Sequence, residues 1–187
     1  MSSDVQYKKY AILYVDDLTE SLEMFSSNYG DEFRIFTANN SVEGLEVLNQ
    51  HADEIGILIT DQRMPGQKGT WLLEQARKLR SGILRILVTA NNDMEATVQA
   101  VNSGAIYKYG SKPWNPLELE QTLKRGLEFF MLQSERNQLL REKESLMRER
   151  MLASRVVSLG LVSAGLNHHI KNRLHLLTGL VKLAIQE

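Results

Sequence analysis

Between residues 10 and 115, apolar positions gather into five short runs. They are YAILYV (10–15), FRIFTA (33–38), IGILIT (55–60), ILRILVT (83–89) and AIYKYG (105–110). Between them, segments near 18–29, 41–50, 69–80 and 93–102 have helical amphipathic spacing, and another begins at 115. This alternation predicts an α/β domain, a parallel sheet with helices on both faces. The first, third and fourth runs are almost continuously apolar, as central strands covered on both faces must be. Right-handed crossovers leave few topologies for such a chain.

The pattern changes after Asn115. No proline follows Pro116, and Gly126, Gly160, Gly165 and Gly179 are isolated. One uninterrupted helix from there to Glu187 would extend on the order of 110 Å at ~1.5 Å per residue; a break at Gly160 or Gly165 is the alternative. Leu132, Leu139 and Leu146 recur every seventh residue, with Leu140, Met147 and Met151 beside them. Arg136, Lys143 and Arg150 interrupt the seam where a regular coiled coil is apolar. A long lone helix has nowhere to bury its leucines, so the pattern predicts a homodimer through the C-terminal helix. The competing reading is an exposed charged helix.

Composition narrows the class. Hydrophobic residues make up 43% and charged residues 24% of the 187, as in soluble globular proteins. A net charge of -1 gives no general attraction to nucleic acid or an anionic membrane. There is no cysteine, so disulfide and thiolate chemistry are excluded. The opening MSSDVQYKKY lacks the apolar core of a secretion signal, and no window is long and apolar enough to span a bilayer. A cytoplasmic location is expected.

In a doubly wound sheet, chemistry gathers outside the carboxyl ends of the strands. Strand one delivers Asp16 and Asp17 there, strand three Asp61, strand four Thr89, and strand five is followed by Lys112 and Pro113. Each has a structural explanation alone: Asp17 as a helix cap, Thr89 as a strand residue, Lys112 as a solvated side chain. Their joint placement points to chemistry. Three close carboxylates raise one another's pKa, and a divalent cation removes the conflict. An all-oxygen site suits Mg²⁺. Asp61 is then a nucleophile toward a phosphoryl group, with Lys112 and Thr89 facing its oxygens.

Residues ~8 to 125 resemble the receiver domain of bacterial two-component response regulators. The resemblance is carried by VDD (15–17), DQRMPG (61–66), LVTA (87–90) and KPW (112–114). It implies a flavodoxin-like, five-stranded sheet in the order 2-1-3-4-5. It implies Asp61 as phosphoacceptor, Asp16 and Asp17 as the acidic pair around Mg²⁺, and the Arg63 backbone carbonyl as a further ligand. A cis Lys112–Pro113 bond and a phosphodonor, either a histidine kinase or a phosphotransfer protein, are also implied. Thr89 and Tyr109 occupy the positions of the family's conformational switch.

The stretch SLGLVSAGLNHHIKNRLHLLTGL (158–180) places Leu159, Val162, Leu166, Ile170, Leu177 and Leu180 along one helical stripe. His168, Asn172 and His175 share another face. No carboxylate or cysteine joins these histidines, which argues against a metal site. The stretch resembles the first helix of the dimerisation and phosphotransfer domain of sensor histidine kinases. The resemblance places His168 at the phosphoacceptor position and Asn172 at a position used in receiver dephosphorylation. The chain departs from the commonest subclass in having His169 after the acceptor and Arg173 in place of a proline. The expected organisation is a receiver (1–125), a coiled-coil signalling helix (126–157) and a partial phosphotransfer helix (158–187). That describes the N-terminal part of a receiver-containing sensor histidine kinase, with a downstream receiver as a further expected partner. The alternative is a non-enzymatic dimeric adaptor whose helix docks partners. No helix-turn-helix follows the receiver, so nucleic acid is not an expected partner.

Overall fold

The structure, a computed structural model, describes the backbone of residues 6–90 and 106–184. Beyond residue 152 it describes side chains only at 170, 171, 173 and 174. The helix expected near 93–102 therefore lies outside the described residues, as do the side chains of His168 and Asn172. The strands are β1 (Ala11–Val15), β2 (Arg34–Ala38), β3 (Ile55–Asp61), β4 (Leu84–Ala90) and β5 (Lys108–Lys112). All neighbouring pairs are parallel, in the order β2-β1-β3-β4-β5. The helices are α1 (Thr19–Tyr29), α2 (Ser41–Gln50), α3 (Gly69–Leu79) and α4 (Pro116–Ala184). This is the flavodoxin-like, doubly wound sheet that the sequence motifs imply, followed by a long C-terminal helix.

The chain divides into two compact units, Met1–Arg136 and Asn137–Glu187. In the first, β1 and β3 are buried along their whole length. Successive side chains point to opposite faces of a strand, so each central strand feeds two cores. Ile12, Tyr14, Ile57, Ile59, Ile86 and Val88 pack with α1 and the start of α4. Leu13, Val15, Leu58 and Leu87 pack on the other face with Leu48 of α2 and Leu72 and Leu73 of α3. Helix α4 joins the first core through Leu119, Leu123, Leu127 and Phe130, at helical spacing. Gly126 lies among them, where a Cβ would come 3.0 Å from Ile57 Cδ1.

Strand β5 lies two to three residues later than its apolar run suggests. The run begins at Ala105, whereas β5 closes on Lys112, paired with Ala90. An edge strand is only half covered, and no residue of β5 is fully buried. Ile106, which draws the apolar pattern forward, packs against the second core without belonging to the strand.

In the second unit α4 continues without interruption at Gly160 or Gly165. Leu139, Leu140, Leu146, Met147, Met151 and Leu152 are all exposed there. These two parts of α4 make opposite predictions. Leu123 is fully buried, so Leu123→Ala is expected to destabilise the sheet unit by about 2–5 kcal/mol, read by urea denaturation.

Candidate functional site

The carboxyl ends of β1, β3, β4 and β5 bring Asp16, Asp61, Thr89 and Lys112 to one edge of the sheet. Asp16, Asp61 and Thr89 are buried there. Lys112 reaches past the end of β4 and bridges the two acids. Its Nζ lies 2.5 Å from Asp16 Oδ2 and 2.7 Å from Asp61 Oδ1. The remaining oxygens are also engaged. The Arg63 N–H donates to Asp61 Oδ2 at 2.5 Å, and the Leu18 N–H donates to Asp16 Oδ1 at 3.1 Å. Tyr14 donates its phenolic hydrogen to Asp16 Oδ2 at 2.5 Å.

These contacts set the electrostatics. Burial opposes the charge on Lys112, but hydrogen bonds to Asp16 and Asp61 outweigh it, and its pKa stands above the ordinary lysine value. Burial, then the hydrogen bond to Asp16, pushes the Tyr14 phenol far above its usual range. Tyr14 is therefore a proton donor at every physiological pH.

The β3–α3 loop is pinned over Asp61. Met64 is buried in the second core, Gly66 takes the left-handed backbone (φ 81°), and the Gly69 N–H donates to the Gln62 carbonyl. Gln62 Oε1 accepts from the Thr70 N–H, serving the first turn of α3, whose N-cap Lys68 makes no side-chain cap. Gly69 backs directly onto the Asp61 main chain: a Cβ there would fall 2.0 Å from the Asp61 carbonyl oxygen.

The other sequence-nominated residues divide. The Lys112–Pro113 bond is cis, as the family resemblance implies. The Thr89 hydroxyl donates to the Ala90 carbonyl at 3.2 Å. Tyr109 is half-buried on β5. Lys108, one residue earlier, bonds Thr122 of α4, so strand alternation puts Tyr109 on the face away from α4. Asp17 is exposed and does not cap α1, whose N-cap is Leu18 without a side-chain bond. Among the described residues, no three His, Cys, Asp or Glu side chains converge closely enough to hold a metal unaided. Asp16 and Asp61 do converge, and as paired hard oxygen donors sharing one cation they fit a magnesium ion that keeps several waters.

Sequence reasoning missed three contributors. Tyr14 passes as a core aromatic, yet it stands two residues before Asp16 and so on the same strand face. Gly69 and Gln62 carry no chemical signal of their own. Only the folded loop shows that one admits the Asp61 carbonyl and the other serves the α3 terminus.

Comparison with known proteins matches this geometry. The family model described as "Response regulator receiver domain" matches residues 12–124. The hydrogenase transcriptional regulatory protein HoxA of Cupriavidus necator is 32% identical over 146 residues, 76% of this chain and 30% of that protein. The C4-dicarboxylate transport transcriptional regulatory protein DctD of Rhizobium meliloti is 35% identical over 111 residues, 59% of this chain and 24% of that protein. The chain thus spans less than a third of these relatives. Among solved structures, a CheY-like receiver domain protein from Methanospirillum hungatei is 30% identical, with a TM-score of 0.61, over 66% of this chain and 98% of that one. A receiver domain protein from Clostridium thermocellum is 25% identical, with a TM-score of 0.62, over 66% and 98% respectively.

The Gly69 contact predicts a local failure. Gly69→Ala must move the Asp61 carbonyl and is expected to cost about 1–3 kcal/mol. Gly82→Ala, where a Cβ meets nothing within 4 Å, is the control and should shift the denaturation midpoint little.

Proposed function

Because the chain belongs to the response regulator receiver domain family, we propose that it accepts a phosphoryl group on Asp61 and thereby controls the long helix α4. The observation that carries this reading is the Lys112 ammonium held between Asp16 and Asp61 at 2.5 and 2.7 Å. A lysine so placed faces the group that arrives at Asp61. A carboxylate oxygen of Asp61 attacks the phosphorus of a phosphohistidine or small acyl phosphate. The new P–O bond forms as the bond to the donor's nitrogen or oxygen breaks, and the electron pair leaves with the donor. The product is an aspartyl phosphate. Lys112 turns from the carboxylate to a phosphoryl oxygen, and the Thr89 hydroxyl leaves Ala90 to donate to another.

Asp16, Asp17, Asp61 and the Arg63 backbone carbonyl would hold the Mg²⁺ that receiver domains use. When bound, it neutralises phosphoryl charge. Movement of Thr89 frees space that Tyr109 enters, so phosphate selects one of two surfaces on the last strands.

The output is a dimer of α4. Its exposed Leu132, Leu139 and Leu146 fall at heptad spacing, with Leu140 and Met147 flanking. The sequence around His168 supports the finer reading that this helix carries the phosphoacceptor of a receiver-containing histidine kinase. The competing reading is a dimeric adaptor in which His168 takes no phosphate.

Three measurements test these steps. Radiolabelled acetyl phosphate with Mg²⁺ is expected to label the wild type and leave Asp61→Asn unlabelled. Label that persists in Asp61→Asn would falsify the assignment. Light scattering should show a dimer that becomes monomeric in the double variant Leu139→Glu/Leu146→Glu. His168→Ala should abolish acid-labile histidine phosphate in a phosphotransfer assay; unchanged phosphate traffic selects the adaptor.

A further inference from the structure

Tyr14 stands in the middle of the buried run of β1, yet its hydroxyl reaches the acidic edge. The side chain is fully buried. Its ring stacks on Phe25 with centroids 4.4 Å apart and meets Trp114 edge-on at 6.0 Å. Phe25 in turn packs on Tyr29 and Trp114. A ring held on two sides fixes where its hydroxyl lies. The phenolic hydrogen is directed at Asp16.

Asp16 thus has three donors. Leu18 N–H holds Oδ1, and Tyr14 and Lys112 share Oδ2. They differ in how they can yield. Lys112 sits on a flexible four-carbon stem and is shared with Asp61, so an incoming cation can displace it. Tyr14 and the Leu18 amide are fixed, one on each oxygen. They are also neutral, so they orient the carboxylate without the charge repulsion an ammonium exerts on a second cation.

We propose that Tyr14 is a positioning residue: its hydroxyl, with the Leu18 amide, holds the Asp16 carboxylate in the orientation that a divalent cation at the acidic edge requires. The proposal rests on the magnesium-dependent reading above. It assigns to a core tyrosine a role in cation affinity separable from its role in packing.

Tyr14→Phe keeps the ring in its stack and removes one oxygen. Magnesium is titrated into unphosphorylated protein by calorimetry. Tyr14→Phe is expected to raise the half-saturating magnesium concentration about tenfold, the scale of one hydrogen bond to a charged group. Its thermal midpoint in EDTA should stay within a few degrees of wild type, and acetyl-phosphate labelling should be recovered at saturating magnesium. Equal magnesium affinity in wild type and Tyr14→Phe overturns the positioning role and leaves the functional reading standing. Wild-type protein that binds no magnesium overturns both.

Discussion

One ammonium between two carboxylates organises the functional edge of this domain. Asp16 and Asp61 end adjacent strands, and both are nearly excluded from water. Two such charges would repel strongly and resist ionisation. Lys112, ninety-six residues beyond Asp16, supplies the compensating charge. The acid pair therefore depends on β5 being in place, although β5 lies outside the two strands that carry the acids. Breaking such a buried pair is far costlier than never forming it, because one charge is then left without a partner.

The surrounding architecture can be understood from that constraint. Strand β3 must end where Asp61 can meet Lys112, and Gly69 permits this by letting α3 begin against the Asp61 carbonyl. The loop between them is closed by Gln62 and Met64 and presents the Arg63 amide to Asp61. On β1, the alternation that buries Tyr14 on the α4 side carries Asp16 to the same side. The chemistry at the edge and the packing below it are thus consecutive steps along one strand face.

Much of this was legible in the sequence because central strands are covered on both sides. The runs at 10–15, 55–60 and 83–89 lie within a residue or two of β1, β3 and β4. Strand β5 was displaced because an edge strand with Lys108, Gly110 and Lys112 along one face has little apolar pattern to read. The VDD motif named both aspartates but could not separate their roles in the fold: Asp16 is buried among three donors, whereas Asp17 is exposed. Tyr14 escaped notice because periodicity reports which face a side chain takes, not what its polar tip touches. Gly69 escaped because a clash with a carbonyl eight residues earlier exists only after folding.

The acidic edge and the root of α4 share one packed core. The core that holds Tyr14 and Phe25 also contains Leu119, Leu123, Leu127 and Phe130 of α4. The Tyr29 hydroxyl donates to the Pro116 carbonyl at the first turn of that helix. Trp114 follows Lys112 by two residues, touches the Tyr14 ring, and lies 5.9 Å from the Lys112 ammonium. Close-packed interiors resist small independent displacements. A change in which oxygens Lys112 contacts must therefore be absorbed by Trp114 and its neighbours, and those neighbours hold the root of α4. The first turns of α4 are clamped into this core through Leu119, Leu123 and Leu127, so the root of the helix and the acidic edge answer to the same packing.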